Sequence, residues 1–330
     1  MKRKLRNMAV VLLLILPCAE LAARLIGWRP YENIDYSVQA TPESWIIGDS
    51  ILGLRLNPGV YSLTLDSTIH FLVTHSESGT RKVVAPHDNS KKVAVFGCSF
   101  TYGYGVNDDK VFTNVLQKMH PEVCFTNYAV PGYGTIQSLL QLEKLDKDAP
   151  PDYAILVYSA VHPERNALAN SYRRALKIGF SNSNNAVDAI MKNAKIPFRG
   201  ITSKKTLYSP WNELYSHWMG RDRFAIVHAL QSTMEKEIEV NDQIRITSEL
   251  LIEFILLCEN SSIVPIIVNL DDREFMDKYV LKADKIVIDI DFDFTNPEIT
   301  NLPYDSHPNS IGHEKIANKI SKEIQELLNE

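Results

Sequence analysis

From Lys91 onward the chain alternates short apolar runs with segments whose apolar residues recur at helical spacing, and this rhythm limits the fold more than any other feature. The runs are residues 93–96, 123–129, 153–158, 263–268 and 286–290. Each is too short for a buried helix and is rich in β-branched or aromatic residues, so each reads as a strand buried on both faces. Between them, residues 109–119, 136–145 and 248–258 place apolar side chains three and four apart, as helices lying on a sheet do. Such alternation predicts an α/β fold: a parallel sheet covered on both faces. Hydrophobic residues make up 45 % of the 330 residues, enough to fill a core of that kind without disulfides or metal.

Two stretches break the rhythm. Residues 29–90 are rich in Ser, Thr, Pro and Gly and carry alternating runs such as Tyr61-Ser62-Leu63-Thr64-Leu65, which predicts a small β-rich linker subdomain ahead of the main domain at 91–330. Residues 167–239 read as an insertion, with Tyr208, Trp211, Tyr215, Trp218 and Phe224 among basic residues. A substrate cap and ordinary packing both suit that composition.

At the amino terminus, Lys2, Arg3, Lys4 and Arg6 precede an apolar run over 8–19 that continues to Trp28. This predicts a cytoplasmic tail at 1–7 and an uncleaved signal anchor, a transmembrane helix at 8–28, with the remainder outside the cytoplasm by the positive-inside rule. No small-x-small cleavage site is evident, and Pro17 before Cys18 argues against a lipoprotein. A cleaved signal peptide and a buried amphipathic helix are the competing readings. A net charge of -5 supplies no cationic field for a nucleic-acid partner. The four cysteines, Cys18, Cys98, Cys124 and Cys258, lack paired C-x-x-C spacing, and Asp289, Asp291 and Asp293 read as solvated carboxylates at a strand end. Neither a metal nor a cofactor is expected.

The first strand runs into Gly97-Cys98-Ser99-Phe100-Thr101-Tyr102-Gly103-Tyr104-Gly105. A serine between a buried strand and a helix presents its hydroxyl above the sheet edge, and flanking glycines let backbone and substrate approach. Near the carboxyl end stands Asp305-Ser306-His307-Pro308. Neutral histidine is a suitable base for a serine hydroxyl, and a carboxylate two residues away can fix its tautomer.

These segments resemble the SGNH or GDSL serine hydrolases. Residues 93–106 resemble that family's first block, Asn127-Tyr128-Ala129-Val130-Pro131-Gly132-Tyr133-Gly134-Thr135 its second, and Asp305-x-His307-Pro308 its last. The resemblance covers residues 91–330. It implies a flavodoxin-like three-layer fold with five parallel strands in the order 2-1-3-4-5, Ser99 as nucleophile, His307 as base, Asp305 as its partner, and an oxyanion hole built from the amides of Ser99 and Gly132. Two positions depart from the pattern. Cys98 stands where the family has aspartate, and the third block, which usually supplies an oxyanion asparagine, reads Ser159-Ala160-Val161-His162-Pro163-Glu164-Arg165-Asn166. His162 is taken as the third donor, with Asn166 as the alternative. Gly48-Asp49-Ser50 matches the family name more literally, but no helix follows it and no glycine block answers it, so Ser50 reads as a turn residue. His313 reads as a packing residue near the site.

The resemblance implies a serine esterase acting on small-molecule or glycan acyl esters, O-acetyl groups among them, and the amino-terminal segment places it outside the cytoplasm, tethered to the membrane. An O-acyltransferase using the same serine on an envelope glycan, and a catalytically inactive envelope-binding module, are the alternatives.

Overall fold

A computed structural model describes residues 15, 17–32, 38–86, 91–181, 190–216, 218–280 and 286–329. They fall into two compact units, Tyr36–Leu214 with Ile238–Glu330, and Met1–Asp35 with Tyr215–Glu237. The stretch read as a single insertion is therefore divided: residues up to 214 belong to the larger unit and 215–237 to the smaller.

The larger unit begins with five strands, β1 (Val38–Thr41), β2 (Ile46–Asp49), β3 (Gly53–Leu56), β4 (Gly59–Leu65) and β5 (Ile69–His75). β2 and β3 form a hairpin, while β1, β4 and β5 form an antiparallel sheet in the order β1-β4-β5. The parallel sheet follows: β6 (Lys91–Phe96), α1 (Ser99–Tyr102), α2 (Phe112–Met119), β7 (Val123–Asn127), α3 (Thr135–Glu143) and β8 (Tyr153–Tyr158). After α4 (His162–Asn166) and α5 (Asn170–Ser181), β9 (Lys195–Arg199) and β10 (Thr206–Pro210) pair as a hairpin. The rhythm resumes with α6 (Val240–Asn260), β11 (Val264–Asn269), α7 (Arg273–Tyr279), β12 (Ile286–Asp289), β13 (Thr300–Asn301), β14 (Asp305–Pro308) and α8 (Ser310–Asn329). α6 starts eight residues before the expected 248, because Val240, Ile244 and Ile246 extend the apolar spacing by two turns.

Sheet order is β12-β11-β8-β6-β7. Counted from β6 this is 2-1-3-4-5, all parallel, the α/β arrangement expected. Successive residues of β6 serve opposite layers. Val93 and Val95 pack with Leu116 of α2 and Ile316 and Ile320 of α8, while Ala94 and Phe96 pack with Leu139 of α3 and Leu250 and Phe254 of α6. Each fully buried side chain of this kind contributes about 1.5–3 kcal/mol, and period-two alternation puts half of that on each face.

A third core joins the amino-terminal strands to the loops beyond the sheet. Trp45, Leu54 and Phe71 pack with Tyr104, Val130, Tyr133, Tyr172 and Leu176. The amino-terminal strands and the parallel sheet thus share one compact unit. Their connection covers an exposed edge: Lys82 N bonds Thr74 O at 2.8 Å, and Arg81 N bonds Asn127 O of the edge strand β7 at 3.0 Å.

In the smaller unit, residues 17–25 are helical and a second helix spans Ala225–Met234. Of the anchor expected at 8–28, residues 8–14 and 16 lie outside the described residues, and among the described residues no helix is long and apolar enough to cross a membrane.

Candidate active site

β6 and β8 are neighbours while β7 lies on the far side of β6, so the loops after β6 and β8 diverge at a switch point, where open α/β sheets bind ligands. The turn out of β6 is made at Gly97, at φ 155°, where a Cβ would stand 2.2 Å from Thr101 Oγ1. Ser99 then opens α1, with Cys98 at its N-cap position. Cys98 is buried, a free thiol, and its side chain caps nothing. The last residue of β7 secures the turn from the side. Asn127 Nδ2 donates to Thr101 O at 2.9 Å and to Thr113 Oγ1 at 3.2 Å, while its Oδ1 accepts from Ala129 N at 3.0 Å.

The β13–β14 hairpin carries the other groups. Ser99 Oγ lies 2.7 Å from His307 Nε2, and His307 Nδ1 lies 2.5 Å from Asp305 Oδ1. The same oxygen accepts the His307 backbone N–H at 2.7 Å. An ionised carboxylate only accepts, so Nδ1 carries the proton and the Nε2 lone pair faces the serine hydroxyl. The imidazole packs against two tilted aromatic rings, with Phe100 at 4.9 Å and Tyr104 at 5.0 Å between ring centroids. Tyr104 is braced in turn by Trp45 and Phe71. Ser99 is 6 % exposed and the His307 side chain 15 %, so the site opens to solvent only narrowly.

The loop after β7 is pinned at successive peptides. Gly132 has φ 88°, a conformation that favours glycine. Its carbonyl accepts Tyr172 Oη at 2.5 Å, the Tyr133 carbonyl accepts Arg165 Nη1 at 2.9 Å, and the Tyr133 hydroxyl donates to the Leu54 carbonyl. Among the described residues, the backbone N–H groups of Ser99 and Gly132 have no hydrogen-bond partner. Both are free to donate to a ligand.

The two residues considered for a third donor are turned inward. His162 is fully buried, its Nδ1 lies 3.2 Å from Thr135 Oγ1, and its Nε2 is enclosed with no partner. Burial, aided by the nearby Arg165 charge, lowers its pKa to about 3, so the ring is neutral. Asn166 accepts Ile136 N at 3.0 Å and donates to Thr247 Oγ1 at 3.0 Å, which binds α4 to α3 and α6. In this conformation neither presents an N–H to solvent. Ser50 is exposed in the turn of the β2–β3 hairpin, where Asp49 Oδ1 accepts from the backbone N–H groups of Ile51 and Leu52. His313 is buried against Phe112, with its pKa lowered by burial to about 3. Asp289 accepts from Asn269 Nδ2, Asp293 caps Thr295, and among the described residues no group of three His, Cys, Asp or Glu could hold a metal ion.

The sequence reading gave no role to Arg81, Asn127, Arg165 or Tyr172, all of which hold the loops around Ser99. Asn127 lies within the second quoted block. Arg165 lies within the third, while Arg81 and Tyr172 stand outside every block, and the carbonyls that all three of these side chains hold are remote in sequence.

No protein-family model matches the chain, and no curated protein matches it. Solved structures do. A psychrotrophic esterase from Pseudoalteromonas sp. aligns at 10 % identity and TM-score 0.41, covering 73 % of this chain and 100 % of that one. A member of the lipolytic protein G-D-S-L family from Veillonella parvula aligns at 14 % and 0.37, covering 70 % and 96 %. An acetylxylan esterase from Geobacillus stearothermophilus aligns at 9 % and 0.38, covering 72 % and 95 %. At these values the likenesses carry no inference about chemistry, which rests on the geometry of the residues.

Proposed function

We propose that the chain is a serine hydrolase that cleaves acyl esters through a seryl intermediate. The supporting observation is the continuous relay from Ser99 Oγ to His307 Nε2 and from His307 Nδ1 to Asp305, together with the Ser99 and Gly132 backbone N–H groups, which have no partner among the described residues. Ser99 Oγ attacks the ester carbonyl as its proton passes to His307 Nε2, and Asp305 stabilises the imidazolium. The Ser99 and Gly132 amides hold the oxyanion. Collapse expels the alcohol, which takes the proton from His307, and leaves an acyl-Ser99. Water, deprotonated by His307, then releases the acid and restores the hydroxyl. A donor from His162 requires its ring to turn toward Ser99, so the reading assigns the hole to the two amides, each worth about 3–4 kcal/mol of barrier.

The narrow opening at Ser99 favours a small acyl group such as acetyl, on a small-molecule or glycan alcohol. The basic residues ahead of the apolar run 8–19 support an anchored chain whose hydrolase domain lies outside the cytoplasm.

The test is a fluorophosphonate probe on the full chain, with the adduct mapped by mass spectrometry, together with hydrolysis of p-nitrophenyl acetate. An adduct on Ser99 and turnover support the reading; an adduct elsewhere, or none, overturns it and favours an inactive module. Faster probe-ester consumption with a sugar acceptor, and acyl sugar among the products, would assign acyl transfer through the same serine.

A further inference from the structure

We infer that the smaller unit is an interfacial seat, with the 218–224 loop lying in the lipid headgroup layer beside the amino-terminal anchor; this rests on the anchored reading above. The helix over 17–25 begins inside the apolar run 8–19 that is read as the anchor. In the span expected at 8–28, Glu20 and Arg24 fall in the half farther from the basic residues 2–6, toward the distal interface. Whatever is fixed to Glu20 and Arg24 is therefore held near that interface.

What is fixed there is the start of the Ala225–Met234 helix. Glu20 accepts the backbone N–H groups of Ala225 at 2.9 Å and Ile226 at 3.0 Å, and Arg24 Nε at 2.7 Å. Arg24 Nη2 donates to Arg223 O at 2.9 Å. Here the carboxylate and guanidinium satisfy each other and the chain beside them, which lowers the cost of placing both charges beside an apolar layer. Below the loop, Tyr31 N donates to Arg221 O at 3.0 Å, and the Arg221 guanidinium lies 4.2 Å from the Tyr31 ring centre. The loop and the helix are thus tied together at several points.

The outer surface so formed is largely apolar, with the Asp222 and Arg223 side chains exposed among its apolar residues. Leu25 is 78 % exposed and Met219 97 %, and Leu21, Ile26, Trp218 and Phe224 are exposed as well. Arg29 and Arg223, both exposed, supply cations suited to anionic headgroups. An apolar face with a tryptophan and basic residues, continuous with an anchor, fits a bilayer interface. The part of the insertion that holds Trp218 and Phe224 accordingly serves the membrane, and is distinct from the part that carries Tyr172.

The full chain is reconstituted in vesicles of phosphatidylethanolamine and phosphatidylglycerol, with or without phospholipid brominated on the acyl chain near the headgroup. Trp45 and Trp211 are buried and serve as a background. In a Trp28→Phe chain, brominated lipid is expected to quench fluorescence, and Trp218→Phe in addition is expected to remove more than half of that quenching. Carbonate-resistant binding with quenching unchanged by Trp218→Phe overturns the seat and leaves the anchor standing. Release by carbonate overturns both. No quenching at Trp218, with a dimer trapped by cross-linking, gives the face to a second copy and overturns the lipid seat.

Discussion

Arg81 lies over the ring of Tyr102, 4.5 Å from guanidinium carbon to ring centroid, while its Nη1 donates to the Tyr102 carbonyl at 3.3 Å. The same fork reaches Gly103 O at 3.3 Å and Val106 O at 2.9 Å, and its Nε pairs with Asp108 at 2.7 Å. A buried cation thereby holds the carbonyls on both sides of Tyr104, the ring that lies on His307. Arg81→Lys keeps the charge but cannot make the three carbonyl bonds. It is expected to lower kcat about 10- to 100-fold with little change in KM, because small displacements of catalytic groups are costly. Stability falls by about 2–3 kcal/mol, at about 1 kcal/mol per lost bond. Kinetics with p-nitrophenyl acetate and a thermal melt measure the two effects, and an unchanged kcat would limit Arg81 to a structural role.

Ser99→Ala is expected to abolish probe labelling and lower ester turnover by about 10⁴- to 10⁶-fold, as loss of a nucleophile does. Ser50→Ala should change neither by more than about twofold, since Ser50 sits exposed in the turn of the β2–β3 hairpin and no histidine bonds it among the described residues. Active-site titration of both variants decides it; labelled Ser99→Ala protein would remove the mechanism.

The parallel sheet was legible because its three central strands, β6, β8 and β11, are buried on both faces and so leave continuous apolar runs. Residues 153–158 match β8 at both ends, while 123–129 overshoots β7 because Tyr128 and Ala129 are apolar residues of the loop that follows. The amino-terminal strands were legible as strands, but not their destination: Trp45 and Phe71 reach Tyr104 through packing that no spacing encodes. The juxtaposition of Ser99 with His307 could be inferred only by resemblance, since 208 residues separate them. The inward turn of His162 and Asn166 was hidden because it depends on Thr135 and Thr247, which belong to other helices.

Four buried histidines predict acid lability. Burial lowers the pKa of His75 to about 4 and those of His162 and His313 to about 3, and it holds that of His120 below the usual histidine value. The unfolded chain binds their protons near pH 6.5 and the folded chain does not, so their contribution is complete above pH 6.5 and is lost as pH falls toward 4. Each histidine adds up to about 1.4 kcal/mol per pH unit to that loss. Urea unfolding between pH 7 and 5 should show the decline, and His162→Asn should flatten it with kcat changed less than about tenfold. A fall in kcat of about 10²- to 10³-fold at unchanged stability would instead make His162 an oxyanion donor.

The hydroxyl of Tyr172 provides the most direct test of how the Gly132 amide is aimed. Tyr172 comes from α5, and its hydroxyl bonds the Gly132 carbonyl while its ring lies 5.9 Å from the Arg165 guanidinium. Tyr172→Phe keeps that ring and removes only the bond, which leaves the carbonyl unsatisfied at about 1–3 kcal/mol. If this bond sets the orientation of the glycine, the variant loses kcat about tenfold, short of the 10²- to 10³-fold for a whole oxyanion donor, with KM little changed. Arg165 holds the next carbonyl, so the two restraints act on one loop and should not add. Tyr172→Phe with Arg165→Met is expected to cost more in kcat than the product of the single effects, because either restraint partly compensates for loss of the other. Multiplicative effects, measured well below the melting temperature of each variant, would show that the loop keeps its shape without either, and that Gly132 is aimed by the backbone alone.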